Sequence, residues 1–180
     1  ASIELLTSVI LKEIFKLDID MVEMVKLSQK AENEFIGVNC GIMDQFAIGM
    51  GKKDNAILLD CNTLEYHYAP VELDGASIVI ANTNKKRGLA DSKYNERRNS
   101  CEAAVKVLNE NGINIKNLGE LSVEKFNEVK HFITDEEQLK RATHAVTENE
   151  RTKTAVEKLN SGDVESLWKT YESISHLFKR

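Results

Sequence analysis

The stretch that most constrains how this chain can fold is residues 32–46, ENEFIGVNCGIMDQF, where two acidic residues bracket a turn punctuated by glycines. The residues after the turn, through Met50, are too apolar for a fully solvated helix. Asp44 would lie one turn into that mostly buried helix, where a carboxylate must be paired, hydrogen-bonded or used. This arrangement suits a general base or a group aimed at a metal-bound phosphate. The alternative is that Asp44 caps the helix or forms a local ion pair, and that Glu32 is a surface residue.

Two helices are predicted before the turn. Apolar residues recur at helical spacing over residues 3–17, with Ser2 as a plausible cap. A second helix begins at Asp20 and runs to about Phe35, which places Glu32 near its C-terminal end. The helix dipole disfavours a carboxylate there. A bound metal ion would relieve this conflict, and a nearby lysine or solvent are the alternatives.

The rest of the chain predicts few strands and many helices. A third helix spans residues 42–50, a hairpin pairs residues 56–60 with 66–71, and residues 77–82 form a short apolar strand. Four helices are then predicted: residues 91–111, a short one opened by Ser122, one from Asp135 to about Asn160, and residues 164–178. The fold class is α+β, with a domain boundary near residues 50–55.

Composition excludes several classes of function. The chain has 180 residues and a net charge of −5 without a long basic run, which argues against nucleic-acid binding. No apolar run approaches the roughly 20 residues needed to cross a bilayer, so no membrane association is expected. Three widely spaced cysteines indicate free thiols in a reducing, cytoplasmic compartment. The four histidines lack ligand spacing, which argues against zinc.

Two long motifs carry a family resemblance. The stretches AENEFIGVNCGIMDQF (residues 31–46) and IANTNKKRGLADSKYNERRNSC (residues 80–101), with AILLDC (residues 56–61) between them, resemble galactokinases of the GHMP small-molecule kinase superfamily. TENERT at residues 147–152 fits more weakly. The resemblance implies that residues 1–54 are part of a ribosomal S5 domain 2-like N-terminal domain. Residues 55–180 would be part of a ferredoxin-like C-terminal domain, with the active site between the two.

The resemblance also implies roles for individual residues. Asp44 would be the base in ATP-dependent phosphorylation of the anomeric hydroxyl of galactose, with the backbone of Gly41 against the sugar and Glu32 as a ligand of Mg²⁺. Tyr94 would contact the sugar, and Lys86 would help to hold the charge on Asp44 or on a phosphate. Without the flanking motif, Tyr94 would be a packing tyrosine, and a solvated turn lysine is an equal alternative for Lys86.

Some of the family's pattern is not found in these residues. The 180 residues hold no phosphate loop of the Gly-Leu-Ser-Ser-Ser-Ala-Ser type, so residues that bind the nucleotide cannot be named, and Lys85 and Gly88 depart from the family's pattern. We therefore expect an internal piece of a galactokinase that has little or no kinase activity by itself. The parent would be a monomer, and this piece could self-associate through apolar surface on its first two helices. A catalytically silent sugar- and ATP-binding sensor of the same fold is the alternative function.

Overall fold

A computed structural model describes residues 1–73, 75–82, 84 and 93–169. The chain divides into two compact units, Ala1–Asp91 and Ser92–Arg180. Helices and strands are mixed and helices predominate, as the α+β prediction requires. The predicted boundary between the two family domains lies at residues 54 and 55. The division into compact units does not test that boundary, which stays a prediction.

Three helices of the first unit confirm the predicted ones: α1 (Ser2–Phe15), α2 (Met21–Lys30) and α3 (Met43–Met50). A π-helical turn, Ala31–Ile36, continues α2 into the motif at residues 32–46. Asp20, where the second helix was predicted to begin, is the cap residue of α2: its side chain accepts from the Glu23 N–H at 2.8 Å, and the Glu23 carboxylate accepts from the Asp20 N–H at 3.2 Å. The predicted cap at Ser2 is wrong, because α1 begins one residue earlier and Ala1 occupies the cap position without a side-chain hydrogen bond.

The predicted hairpin is confirmed as β1 (Asn55–Leu59) and β2 (Tyr66–Pro70), which pair antiparallel from Asn55 opposite Pro70 to Leu59 opposite Tyr66. The predicted strand at residues 77–82 is wrong. Within the described ranges only β1 and β2 pair, and Ile78, Val79 and Ile80 are exposed. An apolar run marks a segment that could enter a sheet, but a strand also needs a neighbour to satisfy its backbone groups.

The first unit's core lies between its three helices and the hairpin. Its buried members are Leu5, Met24, Val25, Ile42 and Phe46. The Phe46 ring packs edge-on against Tyr66, with ring centroids 5.2 Å apart. The Tyr68 hydroxyl donates a hydrogen bond to the carbonyl of Met50 at 2.6 Å. The hairpin therefore holds the C-terminal end of α3, while the core holds its middle.

The second unit contains α4 (Lys93–Glu110), α5 (Val123–Val129) and α6 (Glu136–Asn160), which confirm predicted helices. Ser122 and Asp135 cap α5 and α6 by accepting from backbone N–H groups three residues on. Residues 164–169 are helical, and the rest of the last predicted helix, like the predicted start of α4 at residues 91–92, lies outside the described residues. Among the helices described, none combines the length and apolar character that crossing a membrane requires.

The pKa of one histidine in the second unit, His144, is below the ordinary histidine value. Burial lowers the pKa of His144, and guanidinium groups on α4 and α6 lower it further: those of Arg151, Arg141 and Arg97. Glu148 lies 3.8 Å from the His144 ring and would favour its charged form, but that carboxylate is bound by Arg151. The cations therefore outweigh it.

Candidate active site around residues 32 to 46

The turn between α2 and α3 is fixed by its backbone. Gly37 takes a left-handed φ of 79°, a conformation that favours glycine, and its N–H donates to the carbonyl of Glu32. The Val38 N–H donates to the same carbonyl at 3.1 Å, and the Cys40 N–H donates to the Val38 carbonyl at 2.7 Å. From α2, the Gln29 side chain donates to the carbonyl of Cys40 at 3.1 Å. The residues leading to Asp44 are thereby anchored to the preceding helix.

Asp44 lies in the first turn of α3, with its side chain exposed. The expectation of a mostly buried position is wrong for this residue, because the neighbouring Gln45 and Phe46 form the packed side of the helix. Asp44 forms no hydrogen bond or ion pair with any described residue. Among those residues it is therefore neither a helix cap nor part of a local ion pair. An ionised carboxylate near a helix N-terminus is favoured by the dipole, and here it is open to a ligand.

The group that meets Glu32 is another acid, Glu4, in the first turn of α1. A hydrogen bond between the two carboxyl groups, together with burial and the charge of Glu4, raises the pKa of Glu32. Burial would raise the pKa of Glu4 too, but the hydrogen bonds from Glu32 and Gln45 and the Ala1 ammonium outweigh burial and lower it. The helix dipoles act in the same direction, since Glu4 is near an N-terminus and Glu32 near a C-terminal end. Of the two carboxyl groups, Glu32 is therefore the one with the raised pKa and Glu4 the one with the lowered pKa.

The lysine and solvent alternatives for Glu32 do not account for this pair. The nearby Lys30 instead forms an ion pair with Glu34, at 3.7 Å and with both side chains mostly exposed. The side chain that meets Glu32 is therefore the acid Glu4, and not the nearby lysine.

A buried amide adjoins the two acids. The Gln45 side chain is 3% exposed and hydrogen-bonds Glu4. Its Oε1 is buried and accepts no hydrogen bond from a described residue, whereas the buried Oε2 of Glu4 is ion-paired with the amine of residue 1 at 3.3 Å. Buried acceptors left without a donor are uncommon, because each costs about 1–3 kcal/mol. Hard oxygen donors of this kind fit Mg²⁺.

The cysteine in this turn is not poised as a nucleophile or a metal ligand. Burial and the negative charges of Glu32 and Glu4 raise the pKa of Cys40, so its thiol stays protonated. Its Sγ lies 3.3 Å from Asn33 Oδ1, as a thiol donor would. Within the described part of the chain, no three histidine, cysteine or acidic side chains converge in a group that could hold a metal.

Sequence reasoning missed Glu4 and Gln45. Glu4 has no sequence signal of its own, because its pairing with Glu32 depends on the packing of α1 against α2. A usable signal was present for Gln45: it falls between Ile42 and Phe46 on the packed stripe of α3, and a polar residue on such a stripe needs a partner.

The remaining predicted site residues are placed less fully. Gly41 is exposed in the loop immediately before α3. Tyr94 lies in the second unit, in the first turn of α4, with its side chain 50% exposed. Lys86 lies outside the described residues. The structure thus brings Glu32 to Glu4, and Glu4 to Gln45, within the first unit.

Comparison with known proteins gives one consistent result. Residues 1–52 match the model of the GHMP kinases N terminal domain. The chain is 76% identical over 164 residues to a galactokinase of Fusobacterium nucleatum, which covers 91% of this chain and 42% of that protein. It is 61% identical over 180 residues to a galactokinase of Clostridium acetobutylicum, covering all of this chain and 46% of the relative.

A solved structure agrees with these relatives. The crystal structure of Lactococcus lactis galactokinase complexed with galactose matches with a TM-score of 0.89 and 48% identity, over 94% of this chain and 43% of that one. This chain therefore spans less than half the length of the curated relatives that it matches.

Proposed function

The chain belongs to the galactokinases, a family of GHMP kinases, and on that premise we propose that it carries the base and a metal ligand of a cytoplasmic kinase that makes galactose 1-phosphate from galactose and ATP. The observation that carries the proposal is Asp44: an exposed carboxylate, without a described partner, on a short helix fixed by the core and the hairpin.

Asp44 is the proposed base. Its carboxylate accepts the proton of the anomeric hydroxyl, whose oxygen then attacks the γ-phosphorus of ATP while ADP leaves. Phosphoryl transfer of this kind depends on position and charge more than on covalent chemistry. The anchored turn before α3 and the packing of Phe46 support such a fixed position.

Glu32 is the proposed protein ligand of Mg²⁺, which neutralises phosphate charge when it is bound. Mg²⁺ usually takes one or two carboxylates together with substrate phosphates and water. The pairing of Glu32 with Glu4, near a helix end that disfavours a negative charge, supports a role in which a cation arrives.

Gly41, Tyr94 and Lys86 are the proposed sugar-side residues. Gly41 precedes α3 without a side chain, which permits close approach of a hexose. Tyr94 offers a half-exposed ring and hydroxyl, which suit the apolar face and polar edge of a sugar. The galactose bound in the Lactococcus lactis enzyme supports galactose as the sugar.

We propose in addition that the 180 residues alone turn over slowly or not at all, because they hold no phosphate loop to supply aligned backbone donors. The test is formation of galactose 1-phosphate from galactose and Mg-ATP by the purified chain. ATP-dependent product that disappears in Asp44→Asn would contradict the proposed inactivity and support the base.

The base itself is tested in a chimera in which this chain replaces the matching stretch of the Lactococcus lactis enzyme. We expect Asp44→Asn to lower kcat by about 10²–10⁴-fold with KM for galactose little changed. Glu34→Gln, an exposed acid on the same turn, is the matched control and should leave kcat unchanged. A folded chimera that binds galactose and ATP without turnover would favour the sensor instead.

A further inference from the structure

The backbone on either side of Gly41 is held in place. On one side, the Gln29 side chain reaches from α2 and donates a hydrogen bond to the Cys40 carbonyl at 3.1 Å. On the other side, Ile42 is buried and belongs to the core of the first unit. Gly41 itself is exposed between these two neighbours. The loop therefore presents Gly41 at the surface between two anchored residues.

The hydrogen bond from Gln29 acts on the peptide unit that leads to Gly41. That unit is planar and trans, so the carbonyl of Cys40 and the N–H of Gly41 lie in one plane and point in opposite directions. Fixing the carbonyl therefore fixes the orientation of the Gly41 backbone as well. Cys40 is also held at its N–H, which donates to the Val38 carbonyl at 2.7 Å, and at its Sγ, which lies 3.3 Å from Asn33 Oδ1. Of these three contacts, the one from Gln29 is made by an atom of the peptide unit shared with Gly41.

We propose that Gln29 is a positioning residue for the sugar: through the Cys40 carbonyl, its carboxamide sets the orientation of the Gly41 backbone that a hexose would contact. This inference rests on the proposed contact between Gly41 and the sugar, and it adds a residue from the preceding helix. Glycine has no side chain to restrain its own backbone, so its orientation has to come from its neighbours. The hydrogen bond from Gln29 is partly buried, where water competes less well for the carbonyl.

Gln29→Met tests the inference in the same chimera with the Lactococcus lactis enzyme. Methionine resembles glutamine in length and helix propensity but donates no hydrogen bond, so α2 should keep its packing. We expect the KM for galactose to rise about 10-fold, the effect of about one lost neutral hydrogen bond, while kcat changes by less than about 3-fold and the KM for ATP stays the same. Lys26→Met, at an exposed position of the same helix, is the matched control and should leave all three unchanged.

Gln29→Glu separates a hydrogen-bonding role from a packing role. Glutamate has the shape of glutamine, but its ionised carboxylate only accepts hydrogen bonds and would repel the Cys40 carbonyl. We expect the KM for galactose to rise at least as much as in Gln29→Met. A side chain that served packing alone would tolerate glutamate at least as well as methionine. Titration calorimetry with galactose alone makes the same comparison without turnover, and the dissociation constants should follow the KM values.

The contrary outcomes can be told apart. Unchanged galactose affinity in a folded Gln29→Met chimera would overturn the inference and leave Asp44 as the proposed base. A loss of kcat without a change in galactose affinity would also overturn it, because Gln29 would then act on the base. A rise of both KM values together with a lower melting temperature would show a general effect on stability and overturn it as well. An unaltered chimera that folds by circular dichroism but binds no galactose would contradict the proposed contact of Gly41 together with this inference.

Discussion

Gly49 of α3 lies against α2, and replacing it tests how tightly these two helices pack. A Cβ built on Gly49 would lie 2.8 Å from Val25 Cγ2 and 3.2 Å from Met21 Cγ and Sδ. The methionine can move, but valine is stiff about its first side-chain torsion and Val25 is fully buried. The Gly49→Ala variant must therefore shift one helix relative to the other.

Two opposing effects set the magnitude of the change. Alanine gains about 1 kcal/mol over glycine in the interior of a helix, whereas overpacking costs about 1–3 kcal/mol. We expect Gly49→Ala to destabilise the first unit by about 1 kcal/mol. In a Val25→Ala background the clashing atom is gone, so the same change should stabilise by about 1 kcal/mol. The sign reversal corresponds to a coupling energy of about 2 kcal/mol, within the range seen for residues in contact.

The assay must report on the first unit alone, because two compact units need not unfold together. Hydrogen exchange of the Phe46 amide is suitable, since that N–H donates to the Ile42 carbonyl at 2.9 Å inside the core. Exchange rates in the four variants of the cycle give the coupling directly. Equal destabilisation by Gly49→Ala in both backgrounds would refute the reasoning, because the contact with Val25 would then have no part in the effect.

Other predictions concern capping, pH and association. Ser122→Ala should destabilise the second unit by about 1 kcal/mol in urea unfolding, because the Lys125 N–H loses its acceptor, and Ser122→Thr should retain most of the stability. The lowered pKa of His144 means that the unfolded chain takes up the proton first as pH falls. Stability is then complete above the ordinary histidine pKa of about 6.5 and declines below it; a melting temperature that falls equally below pH 6.5 in His144→Gln would contradict this. Exposed apolar side chains on α1 should drive self-association, so replacing Ile14 and Phe15 with Gln should raise the monomer fraction in sedimentation velocity.

The sequence predicted much of the fold because local signals decided it. Asp20, Ser122 and Asp135 cap their helices, and these bonds join residues only three apart. The hairpin followed from two strand-like runs joined by a polar turn. Residues 77–82 show the limit of this reasoning, since a strand depends on a neighbour that its own residues do not encode.

The candidate site was only partly predictable for the same reason. Asp44 and Glu32 belong to one contiguous motif, which made them recognisable together. The pairing of Glu32 with Glu4 joins positions 28 residues apart in sequence, and it exists because α1 and α2 pack together. The exposure of Asp44 depends on which stripe of α3 faces the core, and the apolar residues on both sides of that helix left the choice open.

The hydrogen bond from the Tyr68 hydroxyl to the Met50 carbonyl affects how Asp44 is oriented at the other end of α3. An eight-residue helix is too short to be stable by itself in water. The direction of α3 therefore depends on the contacts that hold its C-terminal end. The ammonium of Lys52 lies 3.9 Å from the centre of the same tyrosine ring and further immobilises it. Substitutions at positions 52 or 68 would then change the direction in which the Asp44 carboxylate, at the opposite end of the helix, points.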